Sequence, residues 1–182
     1  ILRTPQAQAL KEKLYESAIT LAKNEKMLIP LRKLDKRKIA LVQIGGSKGS
    51  TFYRTLAKYG SVSTFNMKTS FSPNDMISLM AKLKGYNTDI FGVLWTSSLS
   101  RKNFGLTQVT SNLSQRLKEV GNETILTSFG SPYALKNFGT ESAILVAYEG
   151  AREAQEAAAE AIFGGNPITG RLPVTASEQF IE

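Results

Sequence analysis

The sequence predicts an α/β fold: a three-layer sandwich with a mostly parallel, roughly five- to six-stranded sheet and helices on both faces. Three observations point there. Short strand-like runs recur at 38–44, 61–65, 90–95, 124–129 and 143–147, several of them apolar on both faces as buried parallel strands are. Between them lie segments whose apolar residues fall at three- and four-residue spacing, as on amphipathic helices. Strand and helix therefore alternate, which requires right-handed crossovers and a sheet covered on both sides.

At 182 residues and 42% hydrophobic, the chain is long enough to bury one core, so a single domain is expected. Within it, residues 1–37 read as an N-terminal helix and a basic connector strap, and residues 38–182 as the α/β domain proper.

Each element has its own reason. Residues 6–23 predict a helix, because Ala9, Leu10, Leu14, Ala18, Leu21 and Ala22 recur at helical spacing. Pro30 keeps 25–34 from being helical, and the apolar run from Met27 to Leu31 reads as a strap pinned under the core. Residues 38–44 form the first central strand. The glycine-rich turn 45–51 then leads to a short helix at 52–59, the place where phosphate binds in dinucleotide and P-loop folds. Neither fingerprint is met, since Gly45 and Gly46 are adjacent and the order is Lys48-Gly49-Ser50. A plain tight turn is the reading; a flavodoxin-like or periplasmic-type module binding an anion or other ligand is the rival.

Residues 61–65 alternate as a strand does. Pro73 places a helix start at Ser72, with Ile77, Met80, Ala81 and Leu83 on one face. The run 90–95 is a core strand, and 106–120 contains a helix with Val109, Leu113 and Leu117 as its buried stripe. Residues 124–129 give the next strand, 130–135 a turn with a short helix, and 143–147 the last strand. Ala154, Ala157, Ala158 and Ala161 give the helix after it a face of methyl groups alone, able to lie close to a sheet. Gly164-Gly165 stops that helix, and Asn166-Pro167 with Gly170 turns the chain toward Leu172-Pro173-Val174-Thr175.

Composition excludes much chemistry. The chain has neither cysteine nor histidine, so disulfides, serine–histidine triads and histidine-ligated zinc lie outside its reach. No metal site and no cofactor are expected. No apolar run is long enough for a transmembrane helix. The chain begins at isoleucine without a secretory signal, which reads as a fragment and leaves the compartment open; for the parent, the periplasm or cell envelope of a bacterium is the expectation.

The net charge of +8 is uneven: residues 1–68 hold roughly 14 basic against 4 acidic residues, and the excess concentrates in 23–38. That run reads as a solvated connector, with docking to another domain or to an anionic envelope as the sharper alternative. No aromatic ladder accompanies it, so no nucleic-acid partner is expected.

The stretch Phe163-Gly164-Gly165-Asn166-Pro167-Ile168-Thr169-Gly170-Arg171-Leu172-Pro173-Val174-Thr175 resembles the F-G-x-x-N-P-S-G-R-L-P-V-T segment of the C-terminal α/β-sandwich domain of glycoside hydrolase family 3, with Thr169 at the usual serine. Three more matches stand in order. The run from Ser17 to Glu25, ending in Ile29-Pro30-Leu31, is similar to the family's E-S-I-x-L-L-K-N…L-P-L segment; 38–45 resembles its first strand; and Gly130-Ser131-Pro132-Tyr133-Ala134-Leu135 matches its G-x-P-Y-A-L turn.

The resemblance implies that the nucleophile is an aspartate on a preceding TIM-barrel domain, which would be this domain's partner in the parent chain. The barrel's K-H-F-P-G signature cannot occur in a chain without histidine. In the β-glucosidase branch the general acid is a glutamate in the loop after the third strand of the C-terminal domain. The corresponding loop here, 96–105, contains no carboxylate, so a two-carboxylate hydrolysis cannot be completed from it. The β-N-acetylglucosaminidase branch keeps its aspartate–histidine pair on the barrel, and the missing glutamate favours that branch. Glu149 and Glu141 remain as alternative positions for an acid.

No residue is therefore expected to be catalytic in this chain. Facing the parent's carbohydrate substrate, the candidates are Ser98, Arg101, Lys102 and Asn103 in one strand-end loop and Glu149 and Arg152 in another, because ligands of such sheets bind beyond the carboxyl ends of the strands. The plainer reading is a solvated loop for the first group and a helix-terminus carboxylate with a structural partner for the second. Trp95 reads as core rather than as a sugar platform, and Arg171 as holding the turn or the interdomain seam.

Overall fold

The structure, a computed structural model, describes residues 4–94 and 99–182. Strands β1 (Thr20–Asn24), β2 (Ile39–Ile44), β3 (Val62–Met67), β4 (Thr88–Val93), β5 (Glu123–Ser128) and β6 (Ala143–Val146) form one sheet in the order β1-β6-β5-β4-β2-β3. All neighbours are parallel except β1, which runs antiparallel along β6. The helices are α1 (Pro5–Ala18), α2 (Thr51–Leu56), α3 (Pro73–Leu83), α4 (Gln108–Val120) and α5 (Arg152–Phe163).

Alternate residues of the central strands feed two cores. On one face Ile39, Leu41, Ile90, Ile125 and Leu145 pack against Phe52 and Leu56 of α2 and the alanines of α5. On the other, Val42, Phe91, Val93, Leu126 and Ile144 meet Leu79 and Leu83 of α3 and Leu113 and Leu117 of α4. Strands β2, β4 and β6 are buried at every position, as their apolar runs predict, and the burial extends to the polar Gln43 of β2 and Thr88 and Asp89 of β4. The methyl face of α5 is as expected, with Ala154, Ala157, Ala158 and Ala161 all buried. Gly164 ends that helix in the left-handed conformation, φ 79°.

Four differences from the sequence reading have physical causes. The helix predicted over 6–23 stops at Ala18, and residues 20–24 are strand β1. The apolar spacing of Leu21 and Ala22 continues the helical period, but the open edge of β6 offers a backbone partner that a helix there would leave unpaired. Helix α1 itself buries no residue, and Leu10 and Leu14 are 60% and 62% exposed; its polar side, Gln8, Lys11, Glu12 and Tyr15, is what turns toward α5 and the β6 turn. In α3 the inward positions are Leu79 and Leu83, while Ile77 points outward, 68% exposed. Within the strap, Leu28, Ile29 and Leu31 are buried as expected, but Met27 stands out at 83%, because Lys26 and Met27 both take left-handed backbone.

The strap crosses the amino ends of the strands. Glu25 N–H donates to Ser142 at the start of β6, Leu31 N–H to Ile162 at the end of α5, and Lys38 N–H to the side chain of Asn87 before β4. Arg37 Nη1 bonds Thr88 and Glu123, on β4 and β5. The chain then enters β2. Strand β3 lies to one side of β2 and β4 to the other, so the connections part at the carboxyl ends of β2 and β4, where such sheets place ligands.

Candidate functional site

The turn after β2 is closed on itself. Gln43, fully buried, donates through Nε2 to the Ser47 carbonyl at 3.1 Å and to Asn66 Oδ1 at 2.8 Å, while its Oε1 accepts from Ser50 Oγ at 2.7 Å. Ser50 also caps α2, accepting from Tyr53 N–H. A Cβ at Gly46 would stand 2.8 Å from Gln43 Oε1, so a side chain there is excluded. These polar groups are spent within the turn, as in the tight-turn reading, and none is left directed at an anion.

The loop after β4 is a kinked 3-10 segment, Ser100–Gly105, in which Asn103, Phe104 and Gly105 are consecutively left-handed. Phe104 is buried and stacks on Tyr133 with centroids 6.4 Å apart, and Lys136 Nζ lies 5.2 Å from its ring. This anchors the loop to the turn after β5. Arg101 and Lys102 project into solvent and form no ion pair among the described residues. Asn103 is half-buried and spends Nδ2 on the Leu106 carbonyl at 3.3 Å. Ser98 and Trp95 lie outside the described residues.

The turn after β6 does different work. Tyr148, at φ 62°, shares a 2.8 Å hydrogen bond with Thr20 Oγ1 and donates to the Arg171 carbonyl at 3.3 Å; Arg171 thus holds its turn against β1 and the β6 turn through its backbone. Burial pushes the Tyr148 phenol up. Glu149 is exposed yet accepts a hydrogen bond from Tyr15 of α1 at 2.5 Å. Arg152 stands 3.9 Å from Glu12 of α1. Between them the sequence reading missed Glu153, 6% exposed, which takes Gln8 Nε2 at 3.1 Å and Lys11 Nζ at 3.0 Å. The bond from Gln8, its own backbone N–H and Lys11 hold its carboxyl down to about 2. A polar i, i+3 pair on a helix without a buried face, Gln8 and Lys11, was the signal that could have found it.

The two candidate loops are neighbours without being joined. A Cβ on Gly150 would lie 3.6 Å from the Leu94 carbonyl, which places the β6 turn beside the end of β4. No hydrogen bond or ion pair among the described residues links Arg101, Lys102 or Asn103 to Glu149 or Arg152. In the described turns that leave the carboxyl ends of the strands, Glu149 is the one carboxylate. Glu141 is at the opposite end, before β6, 1% exposed and accepting from Ser114 Oγ and from Gly139 N–H. It ties α4 to the sheet. Among the described residues no three acidic groups gather where a metal would sit.

Fold and rim together define a doubly wound α/β domain with polar loops at its switch point. The profile of the glycosyl hydrolase family 3 C-terminal domain matches residues 19–180, and the chain belongs to that family. The match begins at Ile19, one residue before β1. Solved structures with the same fold include a fungal multi-domain GH3 β-N-acetylglucosaminidase (21% identity, TM-score 0.75, 97% of this chain and 20% of that one). Another is a GH3 β-N-acetylglucosaminidase from Paenibacillus sp. strain FPU-7 (15%, TM-score 0.78, 97% and 34%). A third is a β-glucosidase from Listeria innocua in complex with glucose (16%, TM-score 0.74, 91% and 26%). At these identities the likeness establishes the fold. The chain spans between a fifth and about a third of those proteins' lengths. No curated protein sequence matches the chain significantly. No helix among the described residues is long and apolar enough to cross a membrane.

Proposed function

We propose that this chain is the non-catalytic C-terminal domain of a glycosidase that hydrolyses terminal β-linked N-acetylhexosamine. Its task is to buttress a preceding TIM-barrel domain and to wall one side of that barrel's pocket. The observation that carries the reading is the loop 96–105, which holds no carboxylate where the family resemblance implies a β-glucosidase general acid. Ser98, Arg101, Lys102 and Asn103 form the proposed wall, with Glu149 and Arg152 at its flank beside α1. A barrel-borne aspartate–histidine pair asks nothing catalytic of these residues, which fits Arg101 and Lys102 facing solvent and Asn103, Glu149 and Arg152 already engaged within the chain.

A second reading rests on Glu149, the carboxylate of the described carboxyl rim, which would make the parent a β-glucosidase. One assay tests what both readings share, and a second separates them. The chain alone should release no product from chromogenic β-N-acetylglucosaminide or β-glucoside, and turnover by the pure chain would sink the first reading. Only the second assay discriminates: in the parent protein, Glu149→Gln should leave hydrolysis within about twofold, whereas a loss of roughly 10²–10⁴, the usual share of a general acid, would assign the acid to Glu149 instead.

A further inference from the structure

The strap across the amino ends of the strands carries chemistry that the glycosidase reading does not use. Its buried side chains are Leu28, Ile29 and Leu31, whereas Lys26, Arg32, Lys33, Lys36 and Lys38 all face solvent. Two other cations of the strap are neutralised, Lys23 by Glu25 at 2.9 Å and Arg37 by Glu123 at 2.5 Å. The outward ones have no ion-pair partner among the described residues, and of the strap's two carboxylates only Asp35 is likewise unpaired. The strap bonds to the start of β6, then to the end of α5, then to the starts of β5 and β4 before entering β2, so these charges are spread along the amino edge of the sheet. Strands are about 4.8 Å apart, so the charges extend over roughly 15 Å of the amino edge, from Lys26 at one end to the Arg32, Lys33 and Lys36 group toward the other.

Met27 sits near one end of that stretch, next to Lys26. Both residues are left-handed, φ 53° and 52°, a conformation unfavourable for any residue with a Cβ. Its effect here is to hold an unbranched apolar side chain out in solvent rather than beneath the strap with Leu28. Near the other end, Arg32, Lys33 and Lys36 border a shallow groove of about 390 Å³ that reaches Gly121 and Asn122.

We propose that this rim docks on an anionic phospholipid bilayer, the cations lying over the phosphates and Met27 entering the acyl boundary. A row of cations along an edge matches a planar array of phosphates better than one small anion. An apolar tip beside the row has a use in a bilayer and none along a nucleic-acid backbone, and the strap offers no aromatic ring for a base to stack on. Docking here leaves the carboxyl rim, at the other ends of the same strands, facing away from the lipid.

Flotation with vesicles of phosphatidylcholine containing about a third phosphatidylglycerol tests this. The chain should float with these vesicles at low salt, stay behind with pure phosphatidylcholine, and be released at high salt as surface charge is screened. The exposed triple change R32E/K33E/K36E should lower the bound fraction at least tenfold with an unchanged melting curve. The chain has no cysteine, so Met27→Cys gives a unique site for a polarity-sensitive fluorophore. Its emission should shift to the blue on anionic vesicles, whereas the same label at the exposed Ile77, on α3, should not respond. Failure to float, undiminished binding by the triple variant, an unresponsive label at position 27, or tighter binding to duplex DNA than to vesicles would each overturn the proposal. The label readout stands even where the triple variant folds poorly.

Discussion

The Tyr15 hydroxyl donates to the Glu149 carboxylate at 2.5 Å, and this one bond ties a helix with no buried residue to the carboxyl rim of the sheet. The hydrogen bond, and after it burial, pushes the Tyr15 phenol up to about 12. A raised phenol favours the protonated, donating form in the folded state. The contribution is therefore complete below the ordinary value near 10 and is lost as pH rises through 12.

Tyr15→Phe should cost about 0.5–1.5 kcal/mol, the net worth of a hydrogen bond, and the loss should be local. Amide exchange in α1 should quicken while exchange in β4 and β5 stays unchanged. Uniform quickening across both would show that α1 is integral to the core rather than latched to it.

Glu153→Gln should cost about 1–2 kcal/mol at neutral pH, because it removes a carboxylate that receives Gln8 and Lys11. Its folded value is depressed to about 2. The stabilisation is thus present above the unfolded value of 4.5 and disappears as pH falls from there toward 2. Urea midpoints measured from pH 7 to pH 2 should converge for variant and parent at the acid end; parallel curves would refute the assignment.

Asp89 titrates with the opposite sign. It is fully buried at the start of β4, and desolvation raises its carboxyl to about 6 although Asn122 Nδ2 donates to both its oxygens, at 3.1 and 3.2 Å. A raised carboxyl stabilises the fold below the unfolded value of 3.8, and that contribution is lost as pH rises through 6. Asp89→Asn should flatten stability between pH 4 and pH 7 and match or exceed the parent above pH 7, with about 3 kcal/mol as the ceiling for a shift of this size. A variant whose stability still falls across that interval would place the titration elsewhere.

Gly170→Ala should destabilise by at least about 1–3 kcal/mol, as overpacking does. An added Cβ would meet the Ala18 and Ile19 carbonyls and Thr20 Oγ1, each at 2.6 Å, and two of these are backbone. Thermal melting reads the effect directly, and an unchanged midpoint would mean the seam beside β1 is not closed.

How much of this was legible depended on whether a residue's neighbours are near in sequence. Strand β2, apolar at all but Gln43, the apolar run 90–93 of β4, and the alanine face of α5 follow from local pattern. So does the start of α3, where Ser72 and Asp75 form a reciprocal cap that Ser72-Pro73 announces. Strand β1 was not legible, because Leu21 and Ala22 satisfy a helical period equally well and only the edge of β6, more than 100 residues away, decides between the two. At the rim, the missing carboxylate of 96–105 is a property of the sequence itself. The engagement of Glu149 by Tyr15 is not, since a residue on a predicted amphipathic helix carries no mark of which distant turn it will reach. Ile77 shows the same limit, its spacing right for a helix but its direction set by Leu79 and Leu83, which face the sheet.

Strand β1 has one more consequence. It closes a flank of the sheet with a segment that precedes the first central strand by some fifteen residues, and its antiparallel bonds occupy the whole outer ladder of β6. A cut anywhere in the strap would let that ribbon peel away and bare a fully apolar strand edge, the surface on which separate molecules add to one another and aggregate. For handling this chain, solubility would then be decided not in the carboxyl rim but in five residues that look, on paper, like the tail of a helix.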